Sequence, residues 1–89
     1  MVWEIIFEDK ALKVLKNLDK PIATRIIDFI ENRISTSINP RTLGAALQGS
    51  ELGEFWKYRV GDYRVIVQIL DNEVKILVVK IGNRKEVYR

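Results

Sequence analysis

Three β-branched and aromatic runs, Phe55–Val60, Tyr63–Leu70 and Val74–Ile81, follow one another with only Gly61-Asp62 and Asp71-Asn72-Glu73 between them. A two-residue break that begins with glycine is a hairpin signal, and a three-residue polar break makes a slightly longer turn. Strands joined this tightly pair as antiparallel neighbours. The sheet they form has a face that something upstream must cover.

Two upstream segments have the right pattern. Ala11, Leu12, Val14, Leu15 and Leu18 trace an apolar stripe at helical spacing, with Lys10, Lys13 and Lys16 outside it and Glu8-Asp9 supplying an N-cap. After the break at Asn17–Pro21, Asp19 or Lys20 caps a second helix that carries Pro21 in its first turn. That helix runs to about Ser35. Ile22, Ile26, Phe29, Ile30 and Ile34 face inward, Arg25, Asp28, Glu31 and Asn32 face outward, and Asn39-Pro40 ends it. Val2–Phe7 reads as an opening strand, and Arg41–Glu54, with Gly44, Gly49 and Gly53, as a loop. The expectation is an α+β fold in one domain over 1–89, ordered β-α-α-β-β-β, with an antiparallel sheet packed against a helical hairpin. A chain of 89 residues needs both helical stripes for one modest core. Trp3 and Trp56, each inside an apolar strand pattern, read as core.

The composition removes whole classes of chemistry. With no Cys there are no disulfides, thiolate nucleophiles or zinc-thiolate sites; with no His the usual general base and commonest metal ligand are gone. Catalysis would have to run on Lys, Arg, Tyr and carboxylates, and no metal or small-molecule cofactor is expected. No apolar run approaches the ~20 residues that span a bilayer, and an acid stands where a signal peptide carries basic residues. A cytoplasmic protein without a membrane partner is expected.

Charge is unevenly spread. Residues 1–54 hold seven Lys/Arg against eight Asp/Glu, whereas residues 55–89 hold eight against four. All the excess positive charge therefore lies in the last 35 residues, a distribution that suits a polyanionic partner as well as a solvated basic face. If Gly61-Asp62 is the hairpin tip, Arg59 faces Arg64 across the ladder, and alternation puts Lys57, Arg59 and Arg64 on one sheet face. Trp56, Tyr58, Val60, Tyr63, Val65 and Val67 then share the other. Like charges directly opposite one another are unfavourable. Either Asp62 or Glu54 neutralises them, or they splay into water, or they bind an anion. The last is favoured, since guanidinium groups grip phosphate oxygens bidentately and lysine adds a point charge.

The segments Trp56-Lys57-Tyr58-Arg59-Val60-Gly61-Asp62-Tyr63-Arg64-Val65-Ile66 and Gly82-Asn83-Arg84-Lys85-Glu86-Val87-Tyr88 resemble the RelE family of the RelE/ParE toxin superfamily. Leu47-Gln48-Gly49 is similar to the family's Leu-x-Gly loop. The resemblance implies a RelE-like fold and the activity of a type II toxin: cleavage of mRNA in the ribosomal A site. It places the family's active positions on Lys57, Arg59, Arg64, Arg84 and Tyr88. The second of these is Lys in the best-known member and Arg here, and an arginine cannot serve as a general base. Position 83, often His in relatives, is Asn.

These residues could run a reaction that needs no protein nucleophile. The RNA's own 2′-hydroxyl attacks the adjacent phosphorus, leaving a cyclic phosphate and a 5′-hydroxyl. Arg59 and Arg64 would stabilise the phosphorane, Arg84 the leaving oxygen, Tyr88 would stack on a base, and Lys57 is the candidate proton acceptor. The ribosome would supply the in-line geometry. The family further implies a cognate antitoxin protein as partner, alongside the ribosome and mRNA. A gyrase-poisoning relative and a non-catalytic RNA- or ribosome-binding module are the rival readings.

Overall fold

The computed structural model describes residues 2–47 and 55–83. The chain runs β1 (Glu4–Phe7), α1 (Asp9–Asn17), α2 (Lys20–Phe29), a π-helical turn (Ile30–Ile34), a 3-10 turn (Pro40–Leu43), β2 (Ala45–Ala46), β3 (Phe55–Val60), β4 (Tyr63–Leu70) and β5 (Lys75–Asn83). The strands form one sheet in the order β1-β5-β4-β3-β2. The α+β expectation holds, and β3 and β4 have the bounds that their flanking turns predict.

Two features of the sheet differ from the expectation. It is mixed, because β1 lies parallel to β5, Glu4 opposite Lys75 through Phe7 opposite Val78. Strands this remote in sequence have no hairpin to dictate their direction, so no local pattern announces it. The segment read as a loop also contributes: Ala45 and Ala46 pair antiparallel with Lys57 and Trp56, adding a fifth strand.

Glu8 occupies the N-cap of α1 and Asp19 that of α2, with Pro21 in the first turn, as expected, but neither side chain makes a capping bond. Asp9 instead lies in the first turn of α1, where a negative charge suits the helix dipole. The π-helical turn has its own cause. Ile26, Ile30 and Ile34 are all fully buried, and a four-residue step overshoots an α-helical turn by roughly 40°. The wider turn, closed by Ser35 N–H to the Ile30 carbonyl at 2.9 Å, brings Ile34 back over the core. Its far end is tied to β1, since Ser35 Oγ donates to the Trp3 carbonyl at 2.8 Å and Trp3 Nε1 to that of Ser37 at 3.0 Å.

The core lies between the helices and one sheet face. Ala11, Leu15, Ile26, Ile30 and Ile34 meet Tyr58, Val60, Val65, Val67, Ile76, Val78 and Ile81, with Trp3 buried among them and Trp56 packed against them. Among the described residues no helix is long and apolar enough to cross a membrane.

Candidate active site

The hairpin β3–β4 turns on Gly61, whose φ of 60° is the conformation a two-residue turn with glycine first requires. Val60 opposes Tyr63, and the register then places Arg59 opposite Arg64 and Lys57 opposite Ile66. The face assignment follows as predicted. Tyr58 and Val65 sit in the core at 1% and 0% exposure, leaving Lys57, Arg59 and Arg64 on the reverse face.

These three cations line one hollow of about 340 Å³, whose wall is Thr42, Leu43, Gly44 and Ala45. Arg64 is 8% exposed. Its Nη1 donates to its neighbour Tyr63's carbonyl at 3.2 Å, and among the described residues no carboxylate lies within ion-pair distance of it or of Arg59. Burying a charge without a counter-charge is costly, so such groups are normally paired. On the β5 side Arg64 faces Gly82, so the residue directly opposite it brings no side chain. Arg59 is exposed and Lys57 half-buried.

The wall is held by two contacts that the sequence did not disclose. A Cβ on Gly44 would stand 2.5 Å from the Lys57 carbonyl oxygen and 2.8 Å from the Tyr58 ring, so only glycine lets the chain lie this close to β3. From the core side, Tyr58 Oη donates to the Pro40 carbonyl at 2.8 Å, and burial pushes this hydroxyl's pKa up to about 12. The phenol of Tyr58 therefore belongs to the scaffold.

Lys80 was also missed. Simple alternation from Ile76 would aim Lys80 at the core and Ile81 outward. A bulge between Ile66/Val67 and their partners leaves Val79 unopposed, pairing Ile66 with Lys80 and Val67 with Val78. Ile81 is thereby buried, and Lys80 joins the face of Lys57 and Arg64. A lysine in the core phase followed by an isoleucine in the solvent phase was the readable trace of this shift. Lys80 lies outside the Lys57–Arg59–Arg64 hollow and lines another, with Glu8, Lys10 and Val14. Arg84 and Tyr88, the remaining candidate positions, lie outside the described residues, as do Gln48 and Gly49 of the Leu-x-Gly motif and Glu54.

A family model described as ParE toxin of type II toxin–antitoxin system, parDE, matches residues 5–88. The chain belongs to the RelE/ParE family of type II toxins. A RelE-like toxin protein of Escherichia coli is 29% identical over 85 residues, covering 96% of this chain and 86% of that protein. Among solved structures, the fold resembles a RelBE toxin–antitoxin complex of Mycobacterium tuberculosis, with a TM-score of 0.82 and 22% identity over 97% of this chain and 95% of that one. It also resembles an archaeal RelE–RelB complex of Pyrococcus horikoshii, with a TM-score of 0.76 and 23% identity over 97% and 99%. A doubly substituted E. coli RelE in the free state gives a TM-score of 0.79 and 24% identity over 99% and 92%. The fold is thus RelE-like.

Proposed function

We propose that this toxin is a ribosome-dependent endoribonuclease that cleaves mRNA in the A site and so arrests translation in the cytoplasm. The observation that carries the reading is Arg64: a nearly buried guanidinium that, among the described residues, donates to a backbone carbonyl and has no carboxylate within ion-pair distance, opposite Arg59 in a hollow that Lys57 also lines. A scissile phosphate bound there would supply the missing negative charge. As the 2′-oxygen bonds to phosphorus and the bond to the 5′-oxygen breaks, charge grows on the non-bridging oxygens. Arg59 and Arg64 meet it with donors already in place. The proton of the 2′-hydroxyl passes to Lys57, the one group of the three able to take it. Arg84 assists the departing oxygen and Tyr88 orients a base.

The family model's ParE description favours a second reading, a gyrase poison on the same scaffold. The two part on a single assay. Translation in vitro, with mRNA 3′ ends mapped by primer extension with and without ribosomes, should give A-site cuts only when ribosomes are present. Intact message together with accumulated gyrase–DNA cleavage complexes would replace the nuclease with the poison. Intact message on stalled ribosomes would leave a non-catalytic binder. A cognate antitoxin, of the kind seated on the RelE chains of the M. tuberculosis and P. horikoshii complexes, is expected to silence the activity.

A further inference from the structure

Beyond Ala46 and Ala45, which pair with Trp56 and Lys57, no described strand continues alongside β3, so among the described residues its Arg59 end is an edge. Arg59 lines hollows on both sides of that edge. The second is about 300 Å³ and brings Arg59 together with Arg25, Asp28, Phe29, Arg33 and Gly61.

Each arginine reaches it for a local reason. Arg25, on the outer face of α2, extends to the hairpin tip, where a Cβ on Gly61 would stand 3.2 Å from its Nη1. Arg33 leaves the π-helical turn and lies over the Phe29 ring, 5.6 Å from its centroid. Three guanidinium groups thus share the hollow with one carboxylate, and Asn32 already donates to that carboxylate, Asp28, at 2.6 Å. No carboxylate lies within ion-pair distance of Arg25, Arg33 or Arg59 among the described residues. A surface tuned only for stability would alternate the signs.

We propose that this hollow binds a second phosphate of the RNA strand whose scissile phosphate occupies the Arg59–Arg64 pocket, with Arg25 and Arg33 gripping it and Arg59 standing between the two. The proposal rests on the nuclease reading for the first phosphate, but strand binding can be measured without cleavage. A nucleic-acid backbone suits the hollow better than an acidic protein does. A protein interface needs apolar area at its centre, and the apolar members here are engaged: Val60 is buried and Phe29 lies between Tyr58 and Arg33. Backbone recognition needs charge and hydrogen-bond donors, and both are present.

The test is the salt dependence of binding to single-stranded 2′-O-methyl RNA, which lacks the attacking hydroxyl. Each phosphate contact contributes about −0.7 to the slope of log K against log salt. The double variant Arg25→Gln/Arg33→Gln, which gives up that one phosphate, should flatten the slope for a decanucleotide by roughly 0.7. It should leave the slope for a dinucleotide, whose single internucleotide phosphate cannot fill both hollows, as in the wild type. Arg25→Lys/Arg33→Lys, which keeps the charge, should restore the decanucleotide slope and shows that the loss is not misfolding. A decanucleotide slope unchanged by the Gln pair overturns the proposal. So does a Gln pair that loses binding to a poly-glutamate peptide while keeping the RNA slope, since the hollow would then serve a protein. Absent cleavage with a flattened slope sinks only the nuclease reading.

Discussion

On one side of the hollow's wall, Arg41 gives two parallel hydrogen bonds to Asp71, at 2.9 and 2.6 Å, with the arginine side chain 32% and the carboxylate 57% exposed to water. At the hairpin end Arg64 is 8% exposed and donates to a backbone carbonyl. Folding alone favours the reverse, a counter-charge beside the buried arginine and none beside the solvated one. Among the described residues, a carboxylate stands beside Arg41 and none lies within ion-pair distance of Arg64. On the proposed function, the difference separates a cation that fastens the structure from one that receives the RNA phosphate.

The largest effect expected from this contrast is at Arg64. Replacing it by Met keeps the volume of the stem and removes the buried charge. A-site cleavage should fall by ~10²–10³-fold, by analogy with deletion of one transition-state donor. Thermal stability should hold or rise, because a buried charge short of partners is replaced by an apolar group. Cleavage rate and melting temperature measured on the same preparation decide it. Retained cleavage with a lowered melting temperature would return Arg64 to the structural class.

Next in size is the link between the two regions. The Tyr58 hydroxyl is held by Pro40, the residue before Arg41, and its pKa stands near 12 because burial disfavours the phenolate. The unfolded chain releases this proton near pH ~10. Between that pH and about 12 the unfolded state loses a proton that the folded state keeps, so stability falls as pH rises, by about 2–3 kcal/mol in all. Tyr58→Phe should cost about 1 kcal/mol at neutral pH and flatten this part of the alkaline limb. Denaturant melts at neutral and alkaline pH would show both effects, and an unchanged alkaline slope would contradict the assignment.

How much of this was legible beforehand varies with the range of the interaction. The opposition of Arg59 and Arg64 could be read from Gly61-Asp62 alone, because a two-residue turn sets register and face together. The stripe of Ile26, Ile30 and Ile34 located the second helix for the same local reason. Lys80 was hidden by a bulge, which changes phase without changing composition. The parallel docking of β1 and the brief pairing of Ala45 and Ala46 depend on strands distant in sequence, and small residues carry no periodic signal. Gly44 looked like any loop glycine, since its role is a close approach to β3 and not a turn.

That close approach yields the third expectation. Gly44→Ala forces a methyl against the Lys57 carbonyl and the Tyr58 ring, at a cost of about 1–3 kcal/mol for overpacking. Because Gly44 is part of the wall, the displacement opens the hollow. The rate of cleavage should drop alongside the melting temperature, whereas Arg64→Met separates the two.

The smallest effect belongs to Arg41. Its guanidinium, hydrogen-bonded to Asp71, holds that carboxyl below its usual range. A carboxylate with a depressed pKa in the folded state contributes stability above its unfolded pKa and loses it as pH falls through the folded value. Both partners are solvated, so water screens most of the pair. Arg41→Ala should therefore cost no more than about 1 kcal/mol at neutral pH. The difference from wild type should shrink as Asp71 protonates in acid and as salt is raised, while Lys57, Arg59 and Arg64 keep their places. Melting curves across acidic pH at two salt concentrations test this. A gap that persists with Asp71 protonated would mean that Arg41 works through its stacking on the Trp56 ring, 5.8 Å away, and that the exposed arginine is less different from the buried one than its ion pair suggests.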